Sequence, residues 1–299
     1  MIDQEESINI PELLGVPKRG IIFSDLDGVW FDEGANFAAA PKRDLAVISE
    51  AKTAGYWVVL VSDTGSDGLA AFARELACSP MVIGENGAVF YLPDVGLKQY
   101  FIKARPFFSA FRSKATEALK TNSPSSRVVA GDATAMVRTN QITGIPGELV
   151  YLINTTRECS YGVYTRRADQ RGRLVVDDQL TRQTKAVLNR QLGSNSQLVC
   201  KRYPQLGSCL VKDPTVNKPN AVRQVIDQLP AGLSYYMIGD SSADSMTALG
   251  GQITTCAVGN ASDELKDAAR TTNGLVAASS LPLAAGANYI IRQILENRR

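Results

Sequence analysis

The sequence predicts an α/β protein: a doubly wound parallel-sheet core with an inserted α+β unit. Three apolar runs, at 20–25, 56–63 and 81–86, lack the period-two alternation of half-exposed strands. They are therefore interpreted as strands buried on both faces. Helical patterns separate them, and the same signature returns at 235–240 and 254–259. Strands that alternate with helices are typical of a parallel sheet covered on both sides.

Two helices are predicted between the first three strands. In 41–55, Leu45 and Ile48 lie on one helical face, and Gly55 is a stop signal. The segment 65–77 has the pattern of the second helix. The first part of the chain is therefore a β-α-β-α-β series.

The late part of the chain repeats this alternation. A helix is predicted over 219–229, before the two late strands, and a shorter helical piece over 242–250 between them. The segment 261–272 is a helix with Ser262 as its predicted N-cap. The amphipathic pattern of 281–299 predicts a last helix.

The middle of the chain, residues 88–208, has a different character. It is richer in Tyr, Thr, Arg and Ser, and "ELVYLINTT" and "YGVYTRR" alternate more than the core strands do. Helical patterns occur at 107–120 and 181–192. We therefore predict a core made of 1–87 and 209–299, interrupted by a separate α+β unit.

The charge balance excludes several classes of partner. The 299 residues include 32 basic and 30 acidic ones, a formal charge of +2, which gives no electrostatic footprint for nucleic acid or an anionic membrane. No apolar run is long enough to span a membrane. The first residues lack a signal-peptide pattern, so a cytoplasmic location is expected.

Histidine and cysteine usage restricts the chemistry further. The chain has no histidine, which excludes Ser-His-Asp and Cys-His catalysis and histidine-ligated zinc. Acid–base work must then come from carboxylates, lysine, tyrosine or cysteine. The five cysteines are odd in number and form no CxxC pair, a pattern that favours reduced, packed thiols.

Chemically versatile side chains end the predicted core strands or begin their helices. They are Asp25, Asp27, Ser62, Lys218, Asp240 and Asp244. Asp25 and Asp27 point to the same side of a strand, so their like charges need a cation nearby. Carboxylates suit Mg²⁺, while a hydroxyl, a lysine and helix N-termini suit a phosphate. The alternatives are a solvated strand end for Asp25 and Asp27, an N-cap for Ser62, a surface position for Lys218 and a helix-cap acid for Asp244.

In their order, these motifs resemble those of the haloacid-dehalogenase superfamily: DxDG, a Ser after the second strand, a Lys before a helix and GDxxxD. Two further stretches, "IGENGAVFY" (83–91) and "AVGNASDELKDAA" (257–269), and the position of the insert resemble its IIB or Cof-like subclass. That subclass includes sucrose-phosphate, trehalose-phosphate and mannosyl-3-phosphoglycerate phosphatases. The resemblance implies a phosphatase whose inserted α/β domain, residues 88–208, is a cap of the C2B type.

The resemblance also implies roles for the catalytic residues. Asp25 would be the nucleophile that forms an aspartyl-phosphate, and Asp27 the acid and base for the leaving alcohol and for water. Ser62 and Lys218 would bind the phosphate. Lys212 competes with Lys218, but Lys218 fits the family's spacing better.

The metal implied by the family is Mg²⁺. Asp25, Asp240 and the main-chain carbonyl of Asp27 would hold it, with Asp244 as a further metal-site carboxylate or as the residue that orients the others. The chain departs from the family's GDxxND pattern, because Ala243 stands where the Asn is usual. Any contact made by that Asn is lost here.

The substrate implied by the family is a small-molecule phosphate ester, in particular a sugar phosphate. Asn86, Arg157 and Glu158 are candidate substrate-binding residues, the last two because an Arg-Glu pair occurs in the mannosyl-3-phosphoglycerate phosphatase branch. A solvated basic face is the alternative for the arginines of the insert. A phosphotransferase or phosphomutase with the same intermediate, and a binding or regulatory protein that has lost turnover, are the alternative functions.

Overall fold

A computed structural model describes residues 9–31, 46–78, 81–102, 105–139, 142–193 and 197–297. The chain divides into two compact units. The first unit consists of Met1–Phe101 and Asn217–Arg299, and the second unit of Ile102–Val216.

Strands and helices are numbered in chain order. The strands are β1 (Gly20–Ser24), β2 (Tyr56–Val61), β3 (Val82–Gly84), β4 (Val89–Leu92), β5 (Leu97–Tyr100), β6 (Arg127–Gly131), β7 (Leu149–Asn154), β8 (Tyr161–Ala168), β9 (Leu174–Val176), β10 (Val199–Tyr203), β11 (Ser208–Lys212), β12 (Ser234–Gly239) and β13 (Thr254–Ala257). The helices are α1 (Ile10–Leu14), α2 (Ala46–Thr53), α3 (Ser66–Glu75), α4 (Arg105–Asn122), α5 (Ala133–Thr139), α6 (Asp178–Leu192), α7 (Lys218–Ile226), α8 (Asp263–Thr271) and α9 (Leu283–Glu296).

The sheet of the first unit has the strand order β13-β12-β1-β2-β3-β4-β5. Its first five strands are parallel, and β4 and β5 are antiparallel. Consecutive residues of β1, such as Ile22 and Phe23, belong to two different hydrophobic clusters. The cluster that contains Ile22 includes residues of α2, α3, α8 and α9, and the other includes residues of α1 and α7. Both faces of the sheet are therefore covered, and the prediction of a doubly wound core is confirmed.

The predicted helices of the first unit occur with small shifts at their ends. Ser262 caps α8, where its side chain accepts a hydrogen bond from the backbone N–H of Leu265. Residues 41–45 of the helix predicted over 41–55 lie outside the described residues. The helical piece predicted over 242–250 is instead two 3₁₀ turns, Ser242–Asp244 and Thr247–Leu249, because Ser245 between them has an extended backbone.

The second unit is the predicted α+β unit. Its sheet has the order β10-β11-β8-β7-β6, with β9 paired to β8. The β6–β7 pair is parallel and the other pairs are antiparallel. The Phe111 ring of α4 packs edge-on against Tyr161 of β8. On α6, the Thr181 hydroxyl lies 2.5 Å from that of Thr165 on β8.

The bounds of the two units differ from the predicted 88 and 208. The first unit continues to residue 101 because β4 pairs with β3, and Phe90 and Leu92 lie in its core. The second unit continues to residue 216 because β11 pairs with β8 and β10. Strand β5 is partly exposed along its length, so its sequence resembles that of the second unit.

All five cysteines lie within the described residues, where they are buried and form no disulfide. Among the helices that the structure describes, none has the length and apolar character needed to cross a membrane.

Candidate active site

The carboxyl ends of neighbouring parallel strands meet in the first unit. Ser24, the last residue of β1, pairs with residues of both β2 and β12. The backbone N–H of Asp25 donates to the Ile238 carbonyl of β12 at 2.9 Å. Ser62 and Asp240 directly follow β2 and β12. The sheet therefore brings distant parts of the chain to one edge, where doubly wound folds bind ligands.

The chain turns tightly after β1 and orients Asp25. The backbone N–H of Trp30 donates to the Leu26 carbonyl, and its indole Nε1 donates to Ser24 Oγ, both at 2.9 Å. Asp25 Oδ1 accepts a hydrogen bond from the Leu26 N–H at 2.7 Å. Because the Leu26 and Trp30 side chains are buried in the core, the core holds this turn.

Gly28 makes room in this turn for a carboxylate. Its φ of 75° favours glycine, and a Cβ at this position would overlap the Asp240 carboxylate. The glycine therefore lets Asp240 approach the backbone of the turn that carries Asp25 and Asp27.

Lys218 is the first residue of α7, after the N-cap Asn217. Its Nζ lies 2.7 Å from Asp25 Oδ2 and 2.6 Å from Asp244 Oδ1. Lys218 is only 4% exposed, so a surface position is wrong. The competing Lys212 is the last residue of β11, in the second unit.

Asp244 uses both of its oxygens within the protein. Oδ1 pairs with Lys218, while Oδ2 accepts hydrogen bonds at 3.2 Å from the Asp240 N–H, the Ser241 N–H and the Ser241 hydroxyl. A side chain at Gly239 would overlap Asp244. Asp244 therefore orients the backbone that carries Asp240.

Burial and charge oppose each other in this cluster. Burial raises the pKa of the Asp25 carboxyl well above its usual range, while the Lys218 ammonium acts in the opposite direction. Burial alone would lower the pKa of Lys218, but the Asp244 and Asp25 carboxylates outweigh it and raise that pKa. Lys218 is therefore a fixed positive charge beside Asp25.

The residues present fit a divalent metal ion. One carboxylate oxygen from each of Asp25, Asp240 and Asp244 lies within 4.8 Å of the others. A donor set made only of oxygen suits Mg²⁺. A cation here would also relieve the burial penalty on Asp25. Asp244 pairs with Lys218 and accepts three further hydrogen bonds, whereas Asp25 has one hydrogen bond besides its pair with Lys218. We therefore propose Asp25 and Asp240 as ligands, with the neighbouring main chain of Asp27.

Ser62 is buried beyond the end of β2. Its Oγ accepts a hydrogen bond from the Thr64 N–H at 3.2 Å and lies 3.3 Å from the Thr64 hydroxyl. The N-cap of α3 is Gly65, so the alternative interpretation of Ser62 as a helix N-cap is wrong.

Asn86 lies in a strained turn next to the same loop. Glu85, Asn86 and Gly87 have φ values of 51°, 61° and 105°, which are unfavourable for the two residues that have a Cβ. The Asn86 N–H donates to the Ser62 carbonyl at 3.0 Å, and Asn86 Nδ2 donates to Asp63 Oδ1 at 2.6 Å. These bonds hold Asn86 beside the loop after β2, and its contact with substrate stays a prediction.

Arg157 and Glu158 lie in the second unit, between β7 and β8. Arg157 is 5% exposed and its Nη1 donates to Ser160 Oγ at 3.3 Å. The Arg157 carbonyl accepts a hydrogen bond from Arg112 of α4. These contacts give Arg157 a structural role in its loop, and substrate binding by Arg157 and Glu158 stays a prediction.

Sequence reasoning assigned no role to two residues near this site. Thr64 places a second hydroxyl beside Ser62. Asn260 Nδ2 donates to the Gly28 carbonyl at 2.9 Å. A polar residue at the end of the last core strand, in the "AVGNAS" stretch, was the available signal for Asn260.

A family model of haloacid dehalogenase-like hydrolases matches residues 22–277. The chain therefore belongs to this family, and the resemblance carried by its motifs is confirmed. A comparison with curated protein sequences found no match.

Solved structures share the fold along nearly the whole chain. A haloacid dehalogenase-like hydrolase from Bacteroides thetaiotaomicron is 15% identical with a TM-score of 0.60, over 93% of this chain and 100% of its own. A protein from Thermoplasma acidophilum is 18% identical with a TM-score of 0.54, over 93% and 97%. A trehalose-6-phosphate phosphatase related protein is 17% identical with a TM-score of 0.57, over 94% and 100%. At these identities the likeness shows the fold.

Proposed function

We propose that this protein is a Mg²⁺-dependent phosphatase that hydrolyses a sugar phosphate through an aspartyl-phosphate on Asp25. One observation carries the proposal: the buried Lys218 ammonium lies between the carboxylates of Asp25 and Asp244, with Asp240 close enough to share a metal ion. A nucleophile, a fixed positive charge and oxygen ligands for a cation are the groups that phosphoryl transfer needs.

The proposed reaction has two steps. An Asp25 oxygen attacks phosphorus, and the bond from phosphorus to the alcohol oxygen breaks as Asp27 donates a proton to that oxygen. Asp27 then takes a proton from water, and the water oxygen attacks phosphorus and releases Asp25 and inorganic phosphate. Asp27 is two residues from Asp25 and half-buried, which suits a group that must exchange protons with water.

The remaining groups bind the phosphoryl group and the metal. Lys218 and the Ser62 hydroxyl would hold the phosphate oxygens. Asp25, Asp240 and the Asp27 carbonyl would hold Mg²⁺, which when bound neutralises charge on the phosphoryl group.

A sugar phosphate is the proposed substrate class. It rests on the motifs shared with sugar-phosphate phosphatases and on the common fold with a trehalose-6-phosphate phosphatase related protein. We also assign the choice of substrate to the second unit, because the described phosphoryl-transfer groups all belong to the first unit.

The test is phosphate release from p-nitrophenyl phosphate and from a panel of sugar phosphates, with and without Mg²⁺. We expect turnover that needs Mg²⁺ and favours one sugar phosphate, and its loss in Asp25→Asn because an amide cannot attack phosphorus. The matched control is Asp67→Asn at an exposed aspartate of α3, which should retain activity. A folded wild-type protein that hydrolyses none of these esters with Mg²⁺ would refute the proposal. Phosphate transfer to an added sugar instead of water would favour the phosphotransferase alternative.

A further inference from the structure

Asn260 has an exposed side chain whose amide nitrogen and oxygen both form hydrogen bonds. It lies in the loop between β13 and α8. Its Nδ2 donates to the Gly28 carbonyl at 2.9 Å, and its Oδ1 accepts a hydrogen bond from the Leu283 N–H at 2.7 Å. The side chain thus connects three segments that are distant in sequence.

The bond to Gly28 acts on the Gly28–Val29 peptide, which is the next one along the chain from the peptide that carries the Asp27 carbonyl. Since a peptide group is planar, the Asp27 carbonyl and the Gly28 N–H point in opposite directions in one plane. That N–H donates to the Phe31 carbonyl at 2.7 Å, and the Gly28 carbonyl is held by Asn260. Glycine is the residue with the most backbone freedom, so the Asn260 bond, by holding the peptide on the other side of Gly28, restricts rotation at Gly28 and thereby keeps the Asp27 carbonyl in its direction.

The loop that carries Asn260 also holds the second strand end of the site. The Ser262 N–H donates to the Asp240 carbonyl at 2.8 Å, and the Val258 N–H donates to the Gly239 carbonyl at 3.1 Å. Residues 258–262 therefore bind the backbone beside Asp240 through their own backbone, and the backbone beside Asp27 through the Asn260 side chain.

We propose that Asn260 is a positioning residue for the metal site: it sets the distance between the Asp27 carbonyl and the Asp240 carboxylate, and so the affinity for Mg²⁺. This inference rests on the Mg²⁺ site of the proposed function. Asn260 acts through Gly28 and has no contact with the reacting atoms in this role.

The competing explanation is purely structural. Through Leu283, Asn260 also holds the first residue of α9, whose φ of 51° is unfavourable. A side chain that only fastens α9 would affect stability and leave the affinity for Mg²⁺ unchanged.

Two variants separate these explanations. Asn260→Ala removes both hydrogen bonds, and Asn260→Asp keeps the acceptor for Leu283 but loses the donor to Gly28. The matched control is Thr272→Val in the same unit, which removes the Oγ1 that accepts a hydrogen bond from the Thr255 N–H at 3.0 Å. The readouts are the dissociation constant for Mg²⁺ alone, from isothermal titration calorimetry, and the midpoint of thermal unfolding.

We expect both Asn260 variants to bind Mg²⁺ about tenfold more weakly, the size of effect typical of residues that orient metal ligands. Thr272→Val should lower the unfolding midpoint and bind Mg²⁺ as the wild type does. The added charge in Asn260→Asp would by itself attract Mg²⁺, so weaker binding there supports the positioning role even if Asn260→Ala fails to fold.

Affinities within twofold of the wild type, or tighter, in the folded Asn260 variants would overturn the inference and leave the proposed function intact. A wild-type protein that binds no Mg²⁺ would instead refute the metal site of the proposed function, and the inference with it.

Discussion

Both units of this protein bury basic side chains, and two of these, Lys218 and Arg166, are held in opposite ways. Lys218 in the first unit is 4% exposed and Arg166 in the second is 5% exposed. Lys218 pairs with the carboxylates of Asp25 and Asp244, whereas Arg166 Nη1 donates to the carbonyls of Thr165, Leu206 and Gly207.

The pKa values of the two cations reflect this difference. Carboxylate partners outweigh burial and raise the pKa of Lys218, but burial lowers the pKa of Arg166, whose Nη1 donates to neutral carbonyls. In the proposed function, the cation held by carboxylates at strand ends stabilises the phosphoryl group. Arg166, which is held by carbonyls, instead stabilises the turn between β10 and β11. Equal burial therefore does not mean an equal role.

Removal of Lys218 should give the largest effect. In Lys218→Met the Asp25 and Asp244 carboxylates face each other without the ammonium between them, and the phosphoryl group loses the positive charge that Lys218 would supply. Turnover of p-nitrophenyl phosphate should fall by roughly 10²–10³-fold, as for the loss of one transition-state donor. Lys266→Met, at a lysine 3.9 Å from its exposed partner Asp263, is the control and should keep wild-type turnover. Retention of more than half of the activity in Lys218→Met would contradict the catalytic role proposed for Lys218.

Asp27→Asn should give the next largest effect and tests whether Asp27 is the general acid. Turnover of a sugar phosphate should fall by roughly 10²-fold, the lower end of what a general acid contributes, because its alcohol leaving group needs a proton. The loss should be smaller for p-nitrophenyl phosphate, because p-nitrophenolate leaves without protonation. The ratio of the two losses is the measurement, and equal losses would assign Asp27 a role other than general acid.

Arg166→Leu should affect stability and leave the chemistry unchanged. It removes the arginine donor from three carbonyls, of which that of Gly207 keeps a hydrogen bond from the Thr165 hydroxyl. The loss should cost about 2–4 kcal/mol and lower the unfolding midpoint by roughly 5–15 °C. Hydrolysis of p-nitrophenyl phosphate by the folded variant should be unchanged. Arg167→Leu, at the half-exposed neighbour that pairs with Asp177 at 2.7 Å, is the control and should cost less. A loss of p-nitrophenyl phosphate turnover in folded Arg166→Leu would contradict the structural assignment.

The smallest effect is expected at an exposed ion pair. Asp67 and Lys98 lie 3.0 Å apart, and Asp67 is 60% exposed. Asp67→Asn should change the free energy of unfolding by less than about 1 kcal/mol, because water and salt screen such pairs. Urea unfolding with and without 0.5 M salt (roughly a 4 Å screening length) is the measurement. A larger cost would mean that exposed pairs in this protein behave more like the buried cluster.

The core and the residues of the candidate site could be predicted from the sequence because their signals lie in short stretches of the chain. Buried parallel strands produce continuous apolar runs, and the residues that follow them must lie at one edge of the sheet. Asp25, Ser62 and Asp240 follow such runs, so their place at that edge could be predicted. The alternating "YGVYTRR" stretch likewise indicated the second unit, of which β8 is part.

Other features depended on contacts between residues distant in sequence. The choice of Lys218 over Lys212 follows from where α7 begins relative to Asp25 and Asp244. The edge of the first unit at residue 101 depends on the pairing of β4 with β3, because the partly exposed β5 carries no distinguishing pattern.

The sequence by itself determined the alternation of strands and helices, the absence of histidine chemistry and the strand-end carboxylates. Each of these depends only on composition or on residues that are neighbours in the sequence. Only the tertiary structure decided how those carboxylates are used. Asp244 is held by Lys218 and by the backbone at 240–241, and Asn260 reaches Gly28 across 232 residues. A hydrogen bond depends on distances of a few ångströms between folded segments, and no local pattern encodes them.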